Sequence, residues 1–162
     1  GATSTGCSST FMILLFETTK AMERERYQAE LAVLSRRLPA NAYRFRNIGT
    51  SSEDILMAAR TNSGNLYTLR IELNQFPTSV PKAFVTRMLK DKNGNDLSGI
   101  SGAMHTLQSE NGQTRICHYG SNSWSPNVSI YKIYVKCRLW LEMYEAHIRT
   151  GHPIEYFLNH QS

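Results

Sequence analysis

The sequence predicts an α+β fold from three observations: a helical apolar repeat near its start, alternating apolar and polar residues in its middle, and a second helical repeat near its end. Helices placed on either side of a run of consecutive strands are typical of this class. We expect an N-terminal helix, a four-stranded antiparallel meander, a long functional loop and one long C-terminal helix. These elements form a single domain over residues 12–162.

The N-terminal segment, residues 1–11, is rich in Ser, Thr and Gly and carries no charge. This composition predicts a disordered leader or a cloning remnant, and Cys7 belongs to it. The first helix is predicted over residues 19–38 and ends before Pro39. Its apolar stripe, with the spacing i, i+4, i+7 and i+11, comprises Tyr27, Leu31, Leu34 and Leu38.

Four strands follow the helix. They are predicted where apolar residues alternate or form short runs, at residues 43–47, 55–60, 67–73 and 83–89. Turn signals at residues 62–65 and 92–96 close the second and fourth of these strands. Because consecutive strands joined by short turns pair antiparallel, we expect a meander.

The remainder of the chain is predicted to be a loop and a helix. Residues 98–127 contain five Gly and Pro residues and little periodicity, and loops of this length inside a compact domain are usually functional. The last helix is expected over residues 129–149, with Gly151 as its C-terminal cap. Its apolar face comprises Ile133, Cys137, Trp140, Leu141 and Tyr144.

Composition excludes several classes of protein. A chain of 162 residues with 41% hydrophobic and 19% charged residues can bury a core without a disulfide or metal. The longest apolar run, residues 11–16, is far shorter than the roughly 20 residues that cross a bilayer. Three cysteines without Cys-x-x-Cys spacing offer no zinc site and predict free thiols in the cytoplasm.

The net charge of +5 is spread along the chain rather than clustered. A nucleic-acid binder usually carries a basic stripe with interleaved aromatic residues, so this pattern does not favour nucleic acid as a partner. A surface for an acidic protein partner explains the charge equally well.

The long loop brings together residues that could act as a nucleophile and a base. Cys117 is followed by His118, and His105 lies twelve residues earlier. A reactive cysteine must reach solvent and ionise, and a loop position satisfies the first condition. Cys117 could equally be incidental, whereas Cys137 is predicted to be a core residue of the last helix.

The order of motifs around Cys117 resembles the ubiquitin-conjugating enzyme family over about residues 20–150. A first helix and four strands are combined with a proline-rich turn at residues 76–84, Cys117, the triplet Trp124-Ser125-Pro126 and a second helix that starts near Ser129. Residues 140–151 look like the bacterial branch of that family, which occurs in cyclic-oligonucleotide antiphage operons.

The resemblance implies a function for each of these residues. Cys117 would form a thioester with the C-terminus of a ubiquitin-like protein or of a cyclic GMP-AMP synthase-like nucleotidyltransferase, and would pass it to a target amine. Trp124 and Pro126 would support the active-site loop. ATP would be used by a separate activating enzyme, and no cofactor or metal is implied. The first helix, with Arg26 and Arg37 facing outward, would bind the partner, or would simply be a solvated helix with weak charge pairs.

The chain also departs from the family pattern. The family's His-Pro-Asn triplet is replaced by His105-Thr106-Leu107, and we do not expect the last two helices of the eukaryotic members. Candidate donors to an oxyanion are Asn111, Asn122, His105 and backbone N–H groups near Gly120, and either His105 or His118 could accept the amine proton. Two alternatives stay open, a non-catalytic binding module of the same fold and a cysteine hydrolase that uses Cys117 with His105.

Overall fold

The computed structural model describes residues 22–160, so the expected leader and Cys7 lie outside the described residues. Within this range, three α-helices and six strands follow one another in the order α1, β1–β6, α2, α3, with short 3₁₀ turns at Ala40–Ala42 and Ser121–Ser123. The helices are α1 (Arg24–Arg37), α2 (Ile130–Thr150) and α3 (Ile154–Asn159). The strands are β1 (Tyr43–Arg46), β2 (Asp54–Arg60), β3 (Leu66–Glu72), β4 (Ala83–Val85), β5 (Thr106–Glu110) and β6 (Gln113–Ile116).

The α+β class and the long C-terminal helix are confirmed, but the sheet has six strands rather than four. Its order is β1-β2-β3-β4-β6-β5, and every neighbouring pair is antiparallel. The first four strands are the expected meander, although β4 is much shorter than the predicted strand over residues 83–89. The other two strands come from the segment that was predicted to be a loop.

A tight turn at Asn111-Gly112 creates the extra hairpin. Both residues have positive φ angles, 52° and 70°, and Glu110 pairs with Gln113 across the turn. Asn-Gly with two left-handed residues is the preferred two-residue hairpin turn, because its twist matches that of the strands. The prediction of a loop over residues 98–127 was therefore wrong for its central part.

The core lies between the sheet and α2, and α1 packs beside α2. Ile55, Met57 and Leu69 of the central strands are fully buried, as are Leu34 of α1 and Leu141 of α2. The predicted apolar face of α2 is confirmed, since all five of its residues are buried. Within residues 22–160, no helix combines the length and the apolar character that crossing a membrane requires.

Helix α2 has almost its predicted bounds, whereas α1 starts later than predicted and a third helix, α3, is additional. Helix α2 starts after Ser129, whose hydroxyl accepts the N–H of Lys132 at 3.1 Å, and it stops at Gly151, whose φ of 83° is left-handed. Helix α1 starts at Arg24, later than expected. The helix α3 was not predicted. It follows Pro153 and is held by Ile154, which is fully buried.

Candidate functional site

Cys117 follows β6 directly and continues its pairing with β5. Thr106 pairs with Ile116, and the Cys117 N–H donates to the His105 carbonyl oxygen at 3.0 Å, which puts His105 opposite Cys117. Opposed residues of an antiparallel pair have neighbouring side chains. The hairpin thus brings together the two residues that the sequence singled out, although they are twelve positions apart.

Both side chains line an open cavity of about 350 Å³ between the β5–β6 hairpin, α2 and α3. Cys117 is half-buried and therefore reachable from this cavity. Much of the remaining wall is apolar and is formed by Tyr119, Leu139, Trp140, Met143 and Leu158. Leu139 is 42% exposed, so the apolar wall extends to the surface of the domain.

His105 has an unusual backbone conformation that its neighbours hold in place. Its φ of 50° lies in the left-handed region, which few residues with a side chain adopt. Its carbonyl oxygen accepts N–H groups from Cys117 at 3.0 Å and from the indole of Trp140 at 3.1 Å. Its Nε2 contacts Oε2 of Glu155, in the first turn of α3. Sequence reasoning missed Glu155, because nothing in the local sequence links residues fifty positions apart.

His118 lines the same cavity, but its lowered pKa makes it a weaker proton acceptor than an ordinary histidine. Burial, with smaller contributions from the Lys136 and Arg115 cations, lowers the pKa of His118 to about 4, and the hydrogen bond to Pro81 only partly opposes this. The neutral ring lies with Nε2 2.7 Å from the Pro81 carbonyl oxygen, which makes Nε2 the protonated nitrogen. His118 therefore ties the Cys117 segment to the loop before β4.

Trp124 and Pro126 hold the segment that returns from Cys117 to α2. The Trp124 indole N–H donates to the Pro77 carbonyl oxygen at 2.9 Å, and its ring makes edge contacts with Phe76 and Tyr119. The carbonyl oxygen of Pro126 accepts a hydrogen bond from the guanidinium of Arg26. These contacts fix the loop between β6 and α2 to the proline-rich turn and to α1.

Arg26 was expected to face outward and bind a partner, but it faces the start of α2 instead. Its guanidinium also donates to the Val128 carbonyl oxygen at 2.8 Å and to Glu30 at 3.2 Å, and it stacks on the Phe76 ring at 4.8 Å. The side chain is only 21% exposed. Arg26 therefore connects α1 to the start of α2. Arg37 is exposed, with its guanidinium 5.7 Å above the ring of Tyr131.

The predicted oxyanion donors are not all near the cysteine. Asn111 lies in the turn at the opposite end of β6, about 20 Å along the strand from Cys117, so it is too far away to act there. Asn122 is exposed in the turn Ser121–Ser123 and does not line the cavity. The backbone N–H groups of Tyr119 and Gly120 have no acceptor among residues 22–160 and remain candidates.

The described part of the chain contains no cluster of three or more His, Cys, Asp or Glu side chains that could hold a metal ion. No family model, curated protein or solved structure matches the chain when it is compared with each. The expected membership of the ubiquitin-conjugating family therefore stays a prediction. It depends on the order of the sequence motifs.

Proposed function

We propose that this domain is a ubiquitin-conjugating-like transferase that carries an acyl group as a thioester on Cys117 and passes it to an amine. The observation that carries this proposal is the position of Cys117, half-buried at the end of β6, on the wall of an open cavity and opposite His105. A cysteine in such a place can meet both a large acyl donor and an acceptor from solvent.

The first step is an exchange between two thioesters. The Cys117 sulfur attacks the activated acyl carbon of the donor, a carbon–sulfur bond forms to Cys117, and the donor's carbon–sulfur bond breaks. The donor's own thiol leaves as a thiolate and takes up a proton. Because one thioester replaces another, the step needs positioning more than strong acid–base catalysis.

The second step is the attack of a target amine on the thioester. The amine loses a proton, the carbonyl oxygen becomes an oxyanion, and collapse releases an amide and the Cys117 thiolate. His105 is the group best placed to accept the proton, because its ring lines the same cavity as Cys117. The backbone N–H groups of Tyr119 and Gly120 are the proposed donors to the oxyanion, worth roughly 10²–10³ in rate for one good donor.

The shape and lining of the cavity also indicate which acyl donor the site would accept. Its apolar wall suits an extended C-terminal tail with an apolar side chain close to the reacting carboxyl group. The sequence resemblance supplies the class of cargo, a ubiquitin-like protein or a cyclic GMP-AMP synthase-like nucleotidyltransferase, within cytoplasmic antiphage defence. A separate activating enzyme would deliver it, and Arg37 is the exposed candidate on α1 for partner binding.

A cysteine hydrolase is the second candidate, and one observation favours it. Glu155 contacts His105, so Cys117 has a histidine beside it that is itself oriented by a carboxylate, as in hydrolases that use a nucleophile, a base and an orienting group. The two candidates share the acyl-cysteine intermediate. They differ in whether an amine or water accepts the acyl group.

A discharge experiment separates these functions. The domain is loaded with a peptide thioester that ends in an apolar residue and Gly, the excess donor is removed, and loss of the adduct is followed by mass spectrometry with and without lysine. A transferase loses the adduct at least about tenfold faster with lysine and forms the lysine amide. A hydrolase loses it quickly in buffer alone, as free peptide acid. If no adduct forms on Cys117, both are wrong and the domain is a binding module.

His105→Gln should slow the discharge, and His152→Gln is the matched control. His152 is a histidine outside the cavity, packed on the ring of Tyr156. Equal discharge rates in wild type and His105→Gln would remove His105 from the proposed proton transfer.

A further inference from the structure

The contact between Glu155 and His105 belongs to a structure that fixes the position of both residues. The backbone N–H of Glu155 donates to the Ala103 carbonyl oxygen at 2.9 Å, and the preceding residue, Ile154, is fully buried. Helix α3 is thereby attached to the turn that carries His105. The Glu155 side chain is 45% exposed, but its carboxylate reaches the Nε2 of His105 from a helix whose backbone is anchored.

The contact decides which nitrogen of His105 carries the proton. A carboxylate accepts hydrogen bonds but does not donate them when it is ionised, so Nε2 must be the N–H of the ring. The neutral ring then has Nδ1 as its acceptor. Since His105 and Cys117 both line the cavity, Nδ1 is the nitrogen left to serve the chemistry there.

We propose that Glu155 is the positioning residue of the site, and that it holds His105 in the tautomer whose Nδ1 takes the proton of the Cys117 thiol. This inference rests on the proposed function, in which Cys117 is the nucleophile. The thiol proton moves from Sγ to Nδ1, Cys117 becomes the thiolate, and the Glu155 carboxylate balances the charge of the imidazolium. On discharge, the same nitrogen accepts the proton of the attacking amine.

The other titratable groups of the cavity do not offer this proton transfer. His118 is half-buried and a weak base, because desolvation and the nearby Lys136 and Arg115 cations lower its pKa to about 4, and its Nε2 is bound to the Pro81 carbonyl oxygen. Burial raises the pKa of Tyr119. Lys136 lies 3.7 Å from the centroid of the Tyr119 ring and donates to the His118 carbonyl oxygen at 3.4 Å. Glu155 is thus the carboxylate that the structure places beside His105.

The test measures alkylation of Cys117 by iodoacetamide between pH 5.5 and 9.5, read by mass spectrometry of the peptide that contains Cys117. Wild type should react on the order of tenfold faster than Glu155→Gln at pH 6.5, where a thiol without a base is largely protonated. At pH 9.5 the two should agree within about twofold, because the thiol ionises without help. His105→Gln should match Glu155→Gln, and Glu155→Asp should recover part of the rate at pH 6.5.

The matched control is Glu110→Gln. Glu110 also pairs with a cation, Lys82 at 2.9 Å, but it lies at the far end of the β5–β6 hairpin, so its loss should leave the profile unchanged. Two results would overturn the proposal: profiles of wild type and Glu155→Gln that coincide, or a Glu155→Gln rate that is lower by the same factor at every pH. The second would mean that the pair only supports the fold.

If Glu155→Gln is too unstable to study, a measurement on the wild-type chain tests the proposal instead. Long-range nitrogen–proton NMR of the His105 ring should find the proton on Nε2 at neutral pH, and a proton on Nδ1 would refute the proposal. Neither test uses an acyl donor. If no thioester forms in the discharge experiment but the alkylation profile behaves as expected, the proposed function fails while the His105–Glu155 assignment survives.

Discussion

The indole N–H of Trp124 donates to the carbonyl oxygen of Pro77 at 2.9 Å, across forty-seven residues of sequence. This bond fixes the loop after Cys117 to the proline-rich turn that precedes β4. The site therefore depends on a contact between two loops as well as on the regular elements around it.

Replacing Trp124 tests this contact. Trp124→Ala removes the indole bond and the edge contacts with Phe76 and Tyr119, and should lower the free energy of unfolding by about 3 kcal/mol. Trp124→Phe keeps an aromatic ring but loses the donor, and should cost only about 1 kcal/mol. Urea denaturation measures both. If Trp124→Ala unfolds at the same urea concentration as wild type, the loop is not anchored through Trp124.

Arg26 and Arg37 form a matched pair on α1. Arg26→Ala leaves the Pro126 and Val128 carbonyl oxygens without their donor and should cost about 2 kcal/mol of stability, since hydrogen bonds from a charged group are strong. Arg37→Ala removes an exposed cation and should change stability by less than about 0.5 kcal/mol. Thermal melting of the two variants checks this. Equal losses would contradict the different environments of the two arginines.

Much of this fold could be predicted from local patterns, and the parts that were missed have physical reasons. Helix α2 was predicted with its bounds almost correct, because Ser129, Gly151 and the apolar period are all local signals. The β5–β6 hairpin has a local signal too, Asn111-Gly112, but its strands lack clear alternation of apolar residues.

Buried charged residues are the second feature that the sequence patterns did not predict. Glu30 is a charged residue of α1, yet it is 4% exposed and accepts the N–H of Ile130 at the start of α2. Glu145 is buried as well, and it accepts hydrogen bonds from hydroxyl and amide groups around the β2–β3 turn. Such residues are buried because tertiary structure supplies donors for them, which no pattern along one helix can reveal. The His105–Glu155 contact was missed for the same reason.

His118 predicts a dependence of stability on pH. Its pKa is lowered to about 4 in the folded state, below its ordinary value of 6.5, so the unfolded chain takes up the proton first as the pH falls. The contribution of neutral His118 to the free energy of unfolding is fully present above pH 6.5. It declines as the pH falls from 6.5 to about 4, and it does not change further below that pH. The slope in this window is at most about 1.4 kcal/mol per pH unit.

Comparison with His118→Gln isolates this group from the carboxylates that titrate nearby. The difference in unfolding free energy between wild type and His118→Gln should shrink as the pH falls from 7 to 5, in urea titrations at each pH. A difference that stays constant over this range would mean that His118 is not held neutral by burial.

Leu139 tests the apolar wall of the cavity. Leu139→Asn should raise KM for a peptide thioester with an apolar residue near its acyl carbon on the order of tenfold, because the side chain loses an apolar contact. Val135→Asn is the control: Val135 lies one turn earlier on α2, is 44% exposed, and does not line the cavity. Steady-state kinetics of adduct formation distinguish the two. If both variants behave alike, the apolar wall does not contact the donor.

The most direct test of the account is the identity of the residue that receives the acyl group. Wild type, Cys117→Ala, Cys117→Ser and Cys137→Ala are incubated with the peptide thioester and examined by intact mass spectrometry before and after treatment with a small thiol. Wild type and Cys137→Ala should form an adduct that the thiol removes, since Cys137 is fully buried and burial raises the pKa of its thiol to about 12. Cys117→Ser should form an oxyester that resists the thiol, and Cys117→Ala should form none. A thiol-labile adduct in Cys117→Ala would contradict the assignment of Cys117 as the acyl carrier.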